Sequence, residues 1–212
     1  MKNDLIPIFP LELVAYPGEA LNLHIFEPRY KQLITDSFKA RTPFAIPSVV
    51  DKQIMDLGTL VELQEITHVT EDGEMDIKTR GLEIFRIIET FKLLPGKLYG
   101  GARIQIPENE ITPEPEMLLP VYATVKQLLK LLDAEKKFSL PVSQMKSYDL
   151  AHHAGLSLLQ EYELLGLWQE KQRLEYLSRH LAKILPLVSE INTLKAKVQF
   201  NGHFKVLPGF EF

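Results

Sequence analysis

LIPIFPLELVAYPGEALNLHIFEPRYKQLI, residues 5–34, decides how this chain is read. Pro17-Gly18-Glu19 is a turn in which proline presets φ and glycine takes the positive φ. The apolar run of Leu21, Leu23, Ile25 and Phe26 follows and ends at Glu27, Pro28, Arg29 and Tyr30. There a strand becomes a helix. Pro28 sits in the first helical turn, where its missing N–H costs nothing. Tyr30, Leu33, Ile34 and Phe38 then recur at helical spacing and form one apolar face. Glu27 and Arg29 have the look of an acid and a base. At a helix N-terminus a carboxylate is favoured anyway, and the corner needs its backbone N–H groups satisfied. Glu27 and Arg29 are therefore expected to be structural, with Phe26 and Tyr30 anchoring the corner.

From this corner to about residue 110, short apolar runs alternate with turn signals. Asp72-Gly73 lies between two strand-like runs and marks a hairpin. After it, Met75, Ile77 and Thr79 point one way and Asp76, Lys78 and Arg80 the other. Before it, the phase slips between Leu63 and Ile66, which predicts a bulge or bend. LEIFRIIETFKLL and YGGARIQI read as further strands, with Gly100-Gly101 marking a bend or a close backbone approach. Many short strands with Pro/Gly turns point to a barrel or sandwich.

From about residue 115 the period is helical. Leu118, Val121, Tyr122, Val125, Leu128, Leu129 and Leu132 form one stripe. SYDLAHHAGLS reads as a short helix stopped by Gly155. Ser157 and Gln160 have capping-box spacing, and Gly166 offers a left-handed stop. A long helix follows, with Leu174, Leu177, Leu181, Ile184, Val188 and Ile191 on one face. Glu170, Lys171, Arg173, Glu175, Arg179 and Lys183 form its charged face, and Pro186 is expected to kink or split it. The segment NGHFKVLPGFEF reads as non-helical. With Phe200, its Phe204, Phe210 and Phe212 are too apolar for a free tail and are expected to pack on the body or a partner. The chain thus divides into an α+β pair, residues 1–112 and 113–200, with a Phe-rich tail over 201–212.

Composition narrows the function. The 212 residues are 45% hydrophobic and 25% charged, with no cysteine and a formal net charge of −4. Without cysteine there is no disulfide, thiolate zinc site or thiol nucleophile. The charge balance argues against a dedicated nucleic-acid binder. No signal-peptide pattern opens the sequence, no apolar run nears the roughly 20 residues that span a bilayer, and a cytoplasmic protein is expected. There is no phosphate loop, because Lys97 is followed by Leu98 and the first P-loop glycine is missing. Ser157 reads better as a helix cap than as a nucleophile. Adjacent His152 and His153 point about 100° apart on a helix, unlike a zinc pair at i, i+4. The acids Glu71, Asp72, Glu74 and Asp76 lack the spacing of a calcium loop. No catalytic residue, metal or cofactor is expected.

The opening stretch resembles the start of the N-terminal domain of Lon proteases, which carries an LPLFPL…PG…LHIFEPRY pattern. Here the pattern is matched by Ile6-Pro7-Ile8-Phe9-Pro10-Leu11, by Pro17-Gly18, and by Leu23-His24-Ile25-Phe26-Glu27-Pro28-Arg29-Tyr30. Gly81 matches the family's G-x-x-R-F strand, although the aromatic and basic pair is reversed, as Phe85-Arg86. The stretch LAHHAGLSLLQEYELLGLWQEKQRLEYLSRHLAKIL resembles the helical part. The resemblance implies a PUA-like β pseudo-barrel with one inserted helix, followed by a helical bundle. It implies a stand-alone substrate-recognition domain without the ATPase and Ser–Lys peptidase modules, so no enzyme activity of its own. Its partners would be unfolded or tagged protein segments, with a protease or chaperone behind them, held by apolar contacts and edge-strand pairing. The alternative is RNA or nucleotide binding by the PUA-like fold. By the same resemblance Pro17, Gly18, His24, Phe26, Glu27, Pro28, Arg29, Tyr30 and Gly81 are a fold signature. Phe204, Phe210 and Phe212 are candidate peptide-mimicking or docking residues.

Overall fold

A computed structural model describes residues 5–203 apart from 113, 136 and 139. Phe204, Phe210 and Phe212 lie outside the described residues. The fold is α+β, with an antiparallel sheet ahead of a set of helices that ends in a long one. It divides into two compact units. The first holds residues 1–111 with the return of 157–169, and the second holds 112–156 and 170–212.

The sheet of the first unit is built around two long strands, β4 (Gln53–Val69) and β5 (Met75–Phe91). MDIKTR and LEIFRIIETF, two runs in the sequence, form a single strand. The hairpin turn is a five-residue loop in which Gly73 takes φ +73° and its N–H bonds the Thr70 carbonyl at 3.0 Å. Asp72-Gly73 thus marks the turn without being a two-residue connection. The ladder shifts register between Leu63 and Glu65, where the apolar alternation loses phase. β5 buries Met75, Ile77 and Thr79 and leaves Lys78 and Arg80 exposed, as period two requires.

β5 carries two neighbours in series along one edge. β2 (Ala20–Ile25) pairs with residues 75–80, and β6 (Gly101–Gln105) pairs with residues 86–91. Gly81 stands between them. There the turn at Pro17-Gly18 crosses, with Gly18 N–H on the Gly81 carbonyl at 2.9 Å and Gly81 N–H on the Glu19 carbonyl at 2.8 Å. A Cβ on Gly81 would lie 2.1 Å from the Tyr16 carbonyl oxygen. Two fixed backbones meet at this point, so only glycine fits.

The N-terminal segment closes the sheet. β1 (Ile6–Pro7) pairs antiparallel with β6. Ile8 and Leu11 then bridge in parallel to β3 (Phe44–Val50), the far edge strand, and the Phe9 N–H bonds the Ala45 carbonyl at 2.8 Å. One segment thus pairs with both ends of the strand order. Inside, Phe9, Ile25, Tyr30, Leu33, Ile34, Phe44, Ile46 and Ile77 pack as one core, and the Phe9 and Tyr30 rings meet at 4.2 Å between centroids, tilted by 41°. Helix α1 (Pro28–Ala40), with Pro28 in its first turn, contributes Tyr30, Leu33 and Ile34 to that core. Phe38, expected on the same face, is exposed, and Ser37 is buried in its place.

In the second unit α2 (Pro115–Leu131) buries Leu118, Val121, Val125, Leu128 and Leu129. Leu132 falls beyond the helix and is exposed. Helix α3 (Ser147–Ala151) is followed by α4 (Leu158–Leu165), which belongs to the first unit, and by α5 (Glu170–His203). The Ser157–Gln160 capping box forms as the spacing predicts. Gly166 caps α4 at φ −77°, in the right-handed region and not the left-handed one. Pro186 does not split α5, which continues through it, and residues 201–203, expected to be non-helical, extend the helix.

Two residues expected on the charged, solvated face of α5 are fully buried. Glu170 and Arg173 form an i,i+3 ion pair at 2.9 Å. Glu170 also accepts the Ser147 N–H at 2.6 Å and the Ser147 hydroxyl at 2.8 Å. Arg173 lies 4.4 Å over the Tyr148 ring. A buried ion pair persists only where its hydrogen-bonding capacity is met, and the N-terminus of α3 meets it here.

Gly81→Ala forces a methyl into a backbone oxygen. We expect a loss of about 1–3 kcal/mol or more in urea unfolding. A loss below about 0.5 kcal/mol, the scale of a neutral surface change, would mean that the close approach is not made.

Candidate functional site

The β4–β5 ladder runs from Val69–Met75 to Leu57–Arg86 and stops there. Beyond it the two strands part. Gln53 and Ile54 pair with Val50 and Val49 of β3, while Ile87–Phe91 pairs with β6. The fork opens a groove of about 640 Å³. Ile54, Met55 and Asp56 line one wall, and Ile87, Thr90 and Phe91 the other. The turn after β5 supplies Leu93 and Leu98, and Arg29 and Tyr30 come from the start of α1. Leu93 is 64% and Leu98 57% exposed, large apolar side chains held open to solvent.

The stem of the fork is pinned by the returning segment. Tyr162 of α4 donates its hydroxyl to the Asp56 carboxylate at 2.5 Å. The same oxygen is bonded to the Leu57 backbone at the last rung of the ladder, and burial first, then the Asp56 hydrogen bond, holds the phenol well above its ordinary pKa. Arg86, on the opposite strand, sits 3.5 Å from Asp56 and 6.0 Å over the Trp168 ring. Trp168 in turn accepts the Glu110 N–H at 2.8 Å. The rigid stem and open tines make a groove whose floor is apolar and whose rim carries Arg29, Lys92 and Asp56.

Sequence reasoning named the corner residues and missed the groove. Of the signature set, only Arg29 and Tyr30 line it. Pro17 and Gly18 serve the crossing at Gly81. Phe26, expected as an anchor, is 58% exposed; it follows buried Ile25, so alternation turns it outward. Glu27 is the helix N-cap but makes no side-chain cap. Its carboxylate instead takes Arg29 Nε at 2.9 Å and Nη2 at 2.7 Å, and the guanidinium covers Tyr30 at 4.5 Å. A signal for the groove was present in KLLPGKLYG, where leucines crowd a turn. Pro95-Gly96 form that turn, with Gly96 at φ +70° and the Lys97 N–H on the Leu94 carbonyl.

Among the described residues no three His, Cys, Asp or Glu side chains are grouped to hold a metal. His152 and His153 fall after the end of α3, one exposed and one half-buried. Among the described residues no helix is long and apolar enough to cross a membrane.

A family model described as the ATP-dependent protease La (LON) substrate-binding domain matches residues 5–192. The chain belongs to the Lon substrate-binding domain family. A crystal structure of a Lon N-terminal domain protein from Xanthomonas campestris is 25% identical and superposes with a TM-score of 0.65, covering 83% of this chain and 98% of that one. The N-terminal domain of Mycobacterium avium complex Lon protease shares the fold at 14% identity, with a TM-score of 0.62 over 84% of this chain and 98% of that one. The family match thus spans both the signature corner and the fork.

His24 of the signature lies on β2 with Nδ1 2.8 Å from Asp76 and Nε2 3.3 Å from Glu74. The hydrogen bond to Asp76 raises its pKa above the ordinary 6.5. A raised pKa in the folded state means that the contact favours folding below about pH 6.5 and loses that effect as pH climbs through the raised value. An NMR titration should place His24 above 6.5, and Asp76→Asn should bring it back toward 6.5. A wild-type value at or below 6.5 contradicts the contact.

Proposed function

We propose that this chain is a non-catalytic module that holds segments of unfolded or tagged proteins in the fork groove and presents them to a protease or chaperone. The carrying observation is the groove itself. A concave apolar floor open to solvent, with exposed Leu93 and Leu98 on its margin, is the shape in which apolar side chains of a ligand are buried. Its volume suits a few side chains of a polypeptide. Family membership supports the same reading, since the matching model describes a substrate-binding domain. Closure of the sheet by residues 6–11 supports the PUA-like comparison for the first unit. An apolar floor and a formal net charge of −4 favour polypeptide over a phosphate backbone, which needs clustered cations.

Three apolar side chains, each worth about 2 kcal/mol on burial, supply about 6 kcal/mol before the cost of ordering both partners is subtracted, so the affinity is no tighter than roughly tens of micromolar. Binding needs no covalent step. The test is fluorescence anisotropy with labelled, unfolded casein. Wild type should bind. Leu93→Asp combined with Leu98→Asp should weaken binding about tenfold or more with thermal stability unchanged, because both side chains are exposed. Leu187→Asp, at an exposed position on α5, should bind as wild type does. Failure of wild type to bind, or equal binding by the Leu93/Leu98 variant, overturns the proposal.

A further inference from the structure

The fork has a property beyond its apolar lining. In a strand, successive residues send their N–H and C=O groups to opposite edges. Ile87–Phe91 of β5 is laddered to β6 on one edge only, with a register shift between Ile87 and Glu89. On the other edge its partner would be Gln53–Asp56 of β4, but that ladder ends at Leu57–Arg86. Gln53 and Ile54 are engaged instead with β3. Among the described residues, the groove-facing edge of Ile87–Phe91 therefore has no strand beside it. Ile88, Glu89 and Thr90 are solvent-exposed. An open strand edge next to an apolar floor is a template for one more strand.

We propose that the bound segment enters the fork extended and adds a strand to the free edge of β5 at Ile87–Phe91. This rests on the reading of the groove as a polypeptide site and specifies how the polypeptide is read. Only an extended polypeptide matches both features at once. Its main chain supplies donors and acceptors along the edge, and its alternate side chains drop onto Ile54, Met55, Phe91 and Leu98. A compact apolar molecule would cover the floor and leave the edge groups without partners. A helix satisfies its own backbone and cannot use the edge. The five residues of the free edge set the length of the reading frame. The site selects about five residues with apolar side chains at the first, third and fifth, and is indifferent to the two between. Sequence identity matters little beyond that alternation, because the main chain carries much of the recognition. Buried core segments of other proteins have this pattern and are exposed on unfolding.

The probe is a fluorescein-labelled ten-residue peptide alternating valine and threonine, titrated against the full chain alongside unfolded casein. Two N-methylated versions carry the methyl groups on all valines or on all threonines. N-methylation removes a donor without changing the side chain, and strand addition to a single edge uses only alternate donors. We expect the parent peptide to bind and to be displaced by casein. One methylated version should lose about tenfold or more, because its methyl groups remove the two or three donors that face the edge. The other should lose less than about threefold. A shuffled peptide of the same composition, with its valines contiguous, should also bind more weakly. If casein binds but the parent peptide does not, or if both methylated peptides bind alike, strand addition is wrong while the polypeptide site stands. If casein itself fails to bind, the underlying site falls, and the two failures are told apart.

Discussion

The backbone contact between Gly81 and the Tyr16–Gly18 turn is the constraint on which the first unit depends. β5 is 17 residues long, and its edge is shared between β2 and β6. One strand must stop and another begin along that edge, and the crossing at Gly81 is where this happens. The turn passes so close that no side chain fits, and it exchanges two hydrogen bonds with the strand it crosses. Upstream of the crossing, the N-terminal segment continues to the far edge of the sheet. Downstream, β2 leads into the corner that launches α1. The Pro17-Gly18 and HIFEPRY parts of the signature thus serve one crossing and one corner.

The fork lies further along the same strand. The second half of β5 keeps β6 on one edge and the first residues of β4 keep β3, while the β4–β5 ladder between them ends at Leu57–Arg86. The strands separate past Leu57 and Arg86, and the sheet carries an opening with an apolar floor. Tyr162, Asp56, Arg86 and Trp168 hold the stem. The returning segment 157–169 sits within the first unit because it supplies that clamp.

Local features were legible in the sequence. Pro28 at the start of α1, the Ser157–Gln160 capping box, the phase slip at Leu63 and the burial alternation through Met75, Ile77 and Thr79 each depend on residues within a turn or two of one another. The family resemblance came from the same local text. What depended on distant partners was not legible. Glu170 and Arg173 read as a solvated face because nothing nearby announces that Ser147 will meet them. Phe26 looked like an anchor because its hydrophobicity is visible and its side of the strand is not. The fork was hidden for the same reason: Ile54 and Thr90 are ordinary strand residues until the registers of three ladders are known. Leucines in a turn at residues 93–98 were its only local trace.

The central claim is that a polypeptide occupies the fork of the first unit. Amide chemical-shift mapping of the full chain during titration with unfolded casein tests it most directly. The account predicts that the perturbed amides cluster at residues 53–56, 87–93 and 98–100, while those of α5 stay in place. Perturbations confined to the helices of the second unit, or spread evenly over the surface, would contradict it.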